Sequence, residues 1–133
     1  MGFGGHVGFY RDQNAERTVS VDIRGLITAR LGSDSHFFDY QNGDMLGGVA
    51  FDYKLKEDSF ELFTYHQSSH LGADVLLHQG ATYKVYSFEA VRFLHSHPWG
   101  ENLRSYGGLE VKMRANPSQL RGKLTAILGG DWH

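Results

Sequence analysis

Residues Val19–Leu31 read VSVDIRGLITARL, and apolar and polar side chains alternate along almost the whole stretch. The period of two residues is that of a β-strand, because successive side chains of a strand point to opposite faces of the sheet. Leu26 is the one residue that breaks the pattern. The stretch therefore predicts a long strand with one apolar face and one charged face.

The same period recurs along most of the chain, and no stretch shows the 3.6-residue period of a helix. The connections Gly32–Asp44 and Leu71–Thr82 are the long ones and are rich in Gly, Asp and His. Residues 1–133 are therefore predicted to form a single all-β domain, an antiparallel up-and-down fold of about seven strands. The strands are predicted at Gly4–Arg11, Val19–Leu31, Gly48–Lys56, Phe60–His70, Tyr83–His95, Leu103–Ala115 and Gln119–Leu128.

The composition excludes several classes of protein. The 133 residues include no cysteine, which removes disulfides, thiolate zinc sites and cysteine nucleophiles. A net charge of −2 gives no basic surface, so we expect no nucleic-acid partner. No apolar run is long enough for a transmembrane helix, and Met1–Gly5 lacks the basic and apolar regions that open a signal peptide.

The lengths of the predicted strands favour a membrane barrel. Several span about 9–13 residues, whereas strands of soluble proteins usually have about 5–6 and a transmembrane strand needs about 9–11. Alternation alone does not separate the two classes, because a soluble barrel is apolar inside and a membrane barrel is apolar outside. We therefore expect a transmembrane β-barrel, or part of one, with a soluble ligand-binding β-barrel as the alternative.

The membrane barrel makes a definite prediction about facing. Charged side chains are expected to line the interior, at Arg24, Lys54, Glu110 and Lys112. Apolar side chains are expected to cover the outer wall, at Val21, Ile23, Phe51, Tyr53, Leu109, Val111, Leu124 and Leu128. The aromatic residues of Phe37–Tyr40 and Trp99 are expected at the membrane interface.

A second stretch, Phe60–Gly72, reads FELFTYHQSSHLG and places His66, Ser68 and His70 on one face of a strand. Residues two apart on a strand are about 6.6–6.8 Å apart, so the two side chains can approach hydrogen-bond range. His66 could then act as a base and Ser68 as a nucleophile, with Asp74 or Glu89 orienting the imidazole. We favour the other interpretation, in which they form a polar cluster at the membrane interface.

The eight histidines do not predict a metal site. His66 and His70 are about 13 Å apart along a strand, too far to share one ion. His95 and His97 have a workable spacing, but Pro98 follows and no acidic residue is adjacent in the sequence. We therefore expect neither a bound metal nor another cofactor.

Several runs resemble a family of uncharacterised bacterial outer-membrane β-barrel proteins. In that family a strand ends in Tyr-His-x-Ser-Ser-His-Leu-Gly, which corresponds to Tyr65–Gly72, and an Asp commonly follows, here Asp74. Similar runs are ARLGSDS at 29–35, GGVAFDYKLKEDSFELFTY at 47–65, RSYGGLEVKM at 104–113 and LTAILGGDWH at 124–133.

The resemblance implies a location and an architecture rather than an activity. It implies an integral protein of the bacterial outer membrane with a structural or interaction role, surrounded by outer-membrane lipid or lipopolysaccharide. Members of the family are longer and have more strands. The resemblance therefore also implies that this chain is incomplete relative to them and pairs with additional strands or subunits.

The His66-x-Ser68 pattern has a weaker local similarity to outer-membrane phospholipase A. In that family Asn-Gly follows the serine, whereas Ser69-His70 follows here. The similarity implies an alternative function, a serine esterase that hydrolyses membrane lipid.

Overall fold

The computed structural model describes residues 2–32, 39–71 and 86–132. The described residues form seven β-strands and one short 3-10 helix, Ser118–Leu120, so the all-β prediction is confirmed. No helix among them is long and apolar enough to cross a membrane. The strands are β1 (Gly2–Gln13), β2 (Arg17–Gly32), β3 (Asp39–Leu55), β4 (Asp58–Leu71), β5 (Tyr86–Trp99), β6 (Leu103–Asn116) and β7 (Leu124–Trp132).

The strands form one antiparallel meander in which each strand pairs with its neighbours in the sequence. The predicted antiparallel order and the count of seven strands are therefore confirmed. The sheet is not closed into a barrel: within the described ranges, β1 and β7 each pair along one edge only. Because both end strands are odd-numbered, they run in the same direction.

Three strands have boundaries that differ from the predictions by four residues or more. β3 begins at Asp39, inside the predicted connection Gly32–Asp44, because its first residues pair with the end of β2, Tyr40 opposite Leu31. β7 begins at Leu124 rather than Gln119, because the 3-10 helix and a turn through Gly122, with a φ of 71°, occupy the intervening residues.

The third difference is at the end of β5, which continues past the predicted His95 to Trp99. Pro98 lies within this extension, opposite Arg104 of β6. A proline cannot donate a ladder hydrogen bond, but its position one residue before the end of the strand limits the loss to a single bond. The first predicted residues of this strand, 83–85, lie outside the described part of the chain.

The two faces of the sheet differ in burial, and we call them the inner and the outer face. The inner face carries the five buried hydrophobic residues of the described part of the chain, Ala50, Phe63, Tyr65, Phe88 and Ala90. The outer face carries large apolar side chains that are exposed, for example Phe51 at 45%, Leu62 at 48% and Leu109 at 50%. The buried cluster therefore lies on the face that also bears the charged residues.

This facing agrees with the prediction from alternation. Arg24, Glu110 and Lys112 are partly buried in inner-face ion pairs. Of the eight apolar residues assigned to the outer wall, five are clearly exposed, Ile23, Phe51, Leu109, Leu124 and Leu128.

Candidate functional site

His66 and Ser68 lie on the outer face of β4, on the same side of the strand as predicted. Both line a shallow, mainly apolar cavity together with Ile27 and Met45. The hydrogen bonds of the described residues do not include one between the His66 ring and the Ser68 hydroxyl. The strand therefore brings the two side chains to one surface, without a hydrogen bond between them.

Glu89 is the cross-strand neighbour of His66. The register of β4 and β5 places Glu89 opposite His66, and that of β5 and β6 places Arg114 opposite Glu89. Arg114 Nε is 3.8 Å from Glu89 Oε2, and both side chains are well exposed. The outer face thus carries a polar row, His66–Glu89–Arg114. Asp74, the other predicted orienting residue, lies outside the described residues.

The inner face carries an ion-pair network that spans β2 to β5. The Arg24 guanidinium donates to the carboxylates of Asp52 and Glu61. The second oxygen of Glu61, Oε1, accepts a hydrogen bond from Arg92 Nη2 at 2.9 Å. Glu61 is the hub because its single carboxylate holds two guanidinium groups, with a side chain only 18% exposed.

A second group of contacts continues the inner face to β6. The Tyr65 hydroxyl donates to Glu110 Oε2 at 2.6 Å, and Lys112 Nζ lies 3.3 Å from Glu110 Oε1. The Lys112 ammonium also lies 4.8 Å from the centre of the Phe88 ring, a cation–π distance. Opposite charges and aromatic rings therefore fix these long side chains against the sheet.

A polar cavity of about 540 Å³ lies on the inner face near the short hairpin turns. Its lining includes Thr18 of β2 and Asp131 of β7, strands that are five positions apart in the sheet. A flat sheet would hold these residues much farther apart, since neighbouring strands are about 4.8 Å apart. The inner face is therefore concave and the outer face is convex.

Asp58 was not identified from the sequence, and the structure places its carboxylate beside His95 and His97. Its Oδ1 is 2.8 Å from His95 Nε2 and 2.9 Å from His97 Nδ1. The register of the two strands, Ser59 opposite Ser96, brings the carboxylate of β4 to the histidines of β5. Adjacency in the sequence could not reveal this cluster. Within the described ranges, no group of three His, Cys, Asp or Glu residues is arranged to hold a metal ion.

Comparison with known proteins identifies a family but no activity. One family model matches residues 1–129, and its description is "Protein of unknown function (DUF1207)". No curated protein and no solved structure matches the chain. The prediction that the chain has relatives in an uncharacterised family is confirmed, and the description names neither a membrane nor a reaction.

Proposed function

The chain belongs to the DUF1207 family of proteins of unknown function, and we propose that its sheet is the wall of an integral β-barrel in the bacterial outer membrane. The observation that carries the proposal is the facing of the sheet. Its convex face exposes aliphatic and aromatic side chains, while its concave face holds the ion-pair network of Arg24, Glu61 and Arg92. In a transmembrane barrel, lipid would contact the apolar convex face and water would contact the charged concave face.

Strand length supports the same proposal. The six strands β1 to β6 have 12 to 17 residues each, and β3 is the longest. A strand that crosses the hydrocarbon layer needs about 9–11 residues, so these strands can cross it and extend beyond it. A soluble sheet gains nothing from exposing so many apolar side chains, because each exposed CH₂ group forfeits about 0.8 kcal/mol of burial energy.

The positions of two tryptophans near the short hairpin turns support a membrane–water interface at that end of the sheet. Trp99 and Trp132 flank Leu103 in adjacent strands, and both are exposed. The Trp99 indole Nε1 donates to Ser105 Oγ at 2.8 Å, so its polar end is satisfied while its ring faces outwards. Such amphipathic rings are enriched where lipid headgroups meet water. Phe37 and Phe38, the other predicted interfacial residues, lie outside the described residues.

The open edges define what closure of the barrel requires. Unpaired backbone groups cannot remain in hydrocarbon, so β1 and β7 must each gain a partner in the membrane. Because these two strands run in the same direction, an all-antiparallel closure needs an odd number of further strands. We propose that these strands come from further residues of the protein or from another subunit, and that lipid or lipopolysaccharide surrounds the closed wall.

The experiment that tests the proposal determines which side of β2 contacts lipid. The membrane wall predicts lipid contact at alternate residues, on the side of Val21 and Ile23. A soluble ligand-binding barrel predicts the reverse, because it would turn those side chains towards an internal cavity. The measurement is the quenching, by a lipid probe and by iodide, of fluorophores on single cysteines along β2.

A second candidate function, a serine esterase acting on membrane lipid, is favoured by one observation. Glu89 stands opposite His66 in the β4–β5 register, where a carboxylate could orient the imidazole. The local similarity to outer-membrane phospholipase A points to the same pair, His66 and Ser68.

We expect no hydrolysis of phospholipid by the protein in detergent, because the imidazole and the hydroxyl do not form the bond that activates a serine. The measurement compares release of fatty acid by the parent protein, His66→Ala and Ser68→Ala. Hydrolysis by the parent that both substitutions abolish would contradict the non-enzymatic function. Background rates in all three proteins would support it.

A further inference from the structure

We propose that the outer face binds one lipid acyl chain in a groove that crosses β1, β2 and β3 and ends at His66 and Ser68 of β4. The inference rests on the proposed membrane position of the outer face. It goes further by naming a specific site and the chemical class of its ligand.

Three glycines form the floor of the groove. Gly5, Gly25 and Gly47 are direct neighbours across β1, β2 and β3, and His66 continues the same row on β4. A Cβ atom added at Gly5 or Gly47 would meet nothing within 4 Å, and one at Gly25 would meet only a backbone oxygen at 3.7 Å. The space above all three glycines is therefore open.

Apolar side chains form the walls. Phe3, Ile27 and Met45 form the next row on one side and line the cavity with the glycines. On the other side, the next row of the outer face consists of Val7, Ile23 and Val49. The glycine floor and the wall of Phe3, Ile27 and Met45 line a cavity of about 590 Å³ that extends across β1, β2 and β3 to β4.

The dimensions of the groove indicate which kind of ligand fits it. Each wall lies two residues from the floor, about 6.7 Å along the strands, and the floor runs about 14 Å from Gly5 to His66 across three inter-strand steps. The two rows of wall residues are therefore about 13 Å apart between backbones, and their side chains narrow the space to less than the width of a helix with its side chains, which is about 10–12 Å. A strand lying across the floor has no backbone partner on β2 or β3, because both of these strands pair with a neighbour on each side. A single flexible hydrocarbon chain fits.

The polar residues at the β4 end of the groove determine the orientation of the bound acyl chain. His66 and Ser68 line the same cavity as the glycine floor, and each offers a hydrogen-bond donor beside the apolar walls. The exposed Arg114 lies two strands beyond His66 in the same cross-strand row. Carboxyl or ester oxygens at the head of an acyl chain match these donors, while the hydrocarbon tail matches the groove.

The test uses a fluorescent label on the Val49→Cys variant, at the rim of the groove, in vesicles that contain increasing amounts of spin-labelled stearic acid. A Leu109→Cys variant, labelled on the same face but remote from the groove, reports on the surrounding bilayer. We expect quenching of the Val49 label to saturate as the amount of spin-labelled stearic acid rises. The mole fraction of this probe that gives half of the maximal quenching at the Val49 label should be about tenfold lower than the mole fraction that gives the same quenching at the Leu109 label.

Two further substitutions separate a site from general contact with lipid. Gly25→Leu, whose Cβ atom would meet only a backbone oxygen at 3.7 Å, places a side chain in the groove and should abolish the saturable quenching, whereas Ala126→Leu, which adds the same side chain elsewhere on the outer face, should leave it unchanged. Quenching that rises in proportion to the amount of probe at both labels would contradict a specific acyl-chain site in the groove, but it would still agree with the membrane wall. An unquenched label at the remote position would instead overturn the membrane wall itself.

Discussion

Replacing Glu61 by alanine is expected to destabilise the folded sheet by about 2 kcal/mol, less than the cost of removing one partner from a fully buried ion pair, because the three side chains are only partly buried. The substitution removes the carboxylate that holds both Arg24 and Arg92. Arg24 keeps Asp52, but Arg92 loses the carboxylate of Glu61 on the concave face, and its Nε atom is already buried without a hydrogen bond. The free energy of unfolding can be measured by urea titration, with tryptophan fluorescence as the signal.

Asp131→Ala is the matched control for this experiment. It also removes a carboxylate from an arginine, Arg104, but both side chains of this pair are more exposed, 52% for the arginine and 35% for the aspartate. Exposed pairs contribute less than about 1 kcal/mol, because water screens and replaces the interaction. Equal losses of unfolding free energy in Glu61→Ala and Asp131→Ala would show that water screens the ion pairs of the concave face as much as those at the edge of the sheet.

Gly48→Ala is expected to destabilise the sheet by about 3 kcal/mol, the upper end of the usual cost of overpacking. An added Cβ would overlap the carbonyl oxygen of Thr64 and lie only 2.5 Å from the Tyr65 Cβ atom. Both obstacles belong to the neighbouring strand, so relief requires a shift of β4 rather than rotation of a side chain. The same unfolding measurement reports the loss.

The adjacent glycine supplies the control. Gly47 points to the outer face, where an added Cβ meets nothing within 4 Å. Gly47→Ala should therefore leave stability unchanged or raise it by about 0.4–1 kcal/mol, because alanine restricts the unfolded chain. A destabilisation of Gly47→Ala as large as that of Gly48→Ala would contradict the assignment of the two faces at this point.

Alternation was sufficient to predict that the strands exist and which of their residues share a face. Val19–Leu31 is a strand whose Ile23 is exposed and whose Arg24 is partly buried in ion pairs, because the period of two residues leaves only two assignments of the faces. The boundaries were harder to predict. Asp39–Asp44 lacks an alternating apolar pattern and is held in β3 by its pairing with β2, and Gln119 continues the alternation but lies in a 3-10 helix after Pro117.

From the sequence, only those features of the site that lie on one strand could be predicted. His66 and Ser68 share a face because both lie on β4, which spacing alone establishes. Partners on other strands depend on register, which is set by the hairpin turns and cannot be deduced from one strand. For this reason the row of Gly5, Gly25 and Gly47 was not evident from the sequence, and Asp58 was not connected with His95 and His97.

The position of the outer face in the membrane can be measured directly on β2. The chain has no cysteine, so a single introduced cysteine carries the only label. Six variants, each with one of the residues 18–23 replaced by cysteine, are labelled with a small fluorophore and reconstituted in lipid vesicles. Each is then exposed to a spin-labelled phospholipid and, separately, to iodide in the water.

We expect quenching by the lipid at Val19, Val21 and Ile23, and quenching by iodide at Thr18, Ser20 and Asp22. The first three lie on the convex apolar face, and Thr18 and Ser20 line the polar cavity of the concave face. The period of two residues in the lipid signal is the result that the membrane wall predicts. The opposite assignment, with iodide reaching Val21 and Ile23 and lipid quenching absent along the strand, would contradict it.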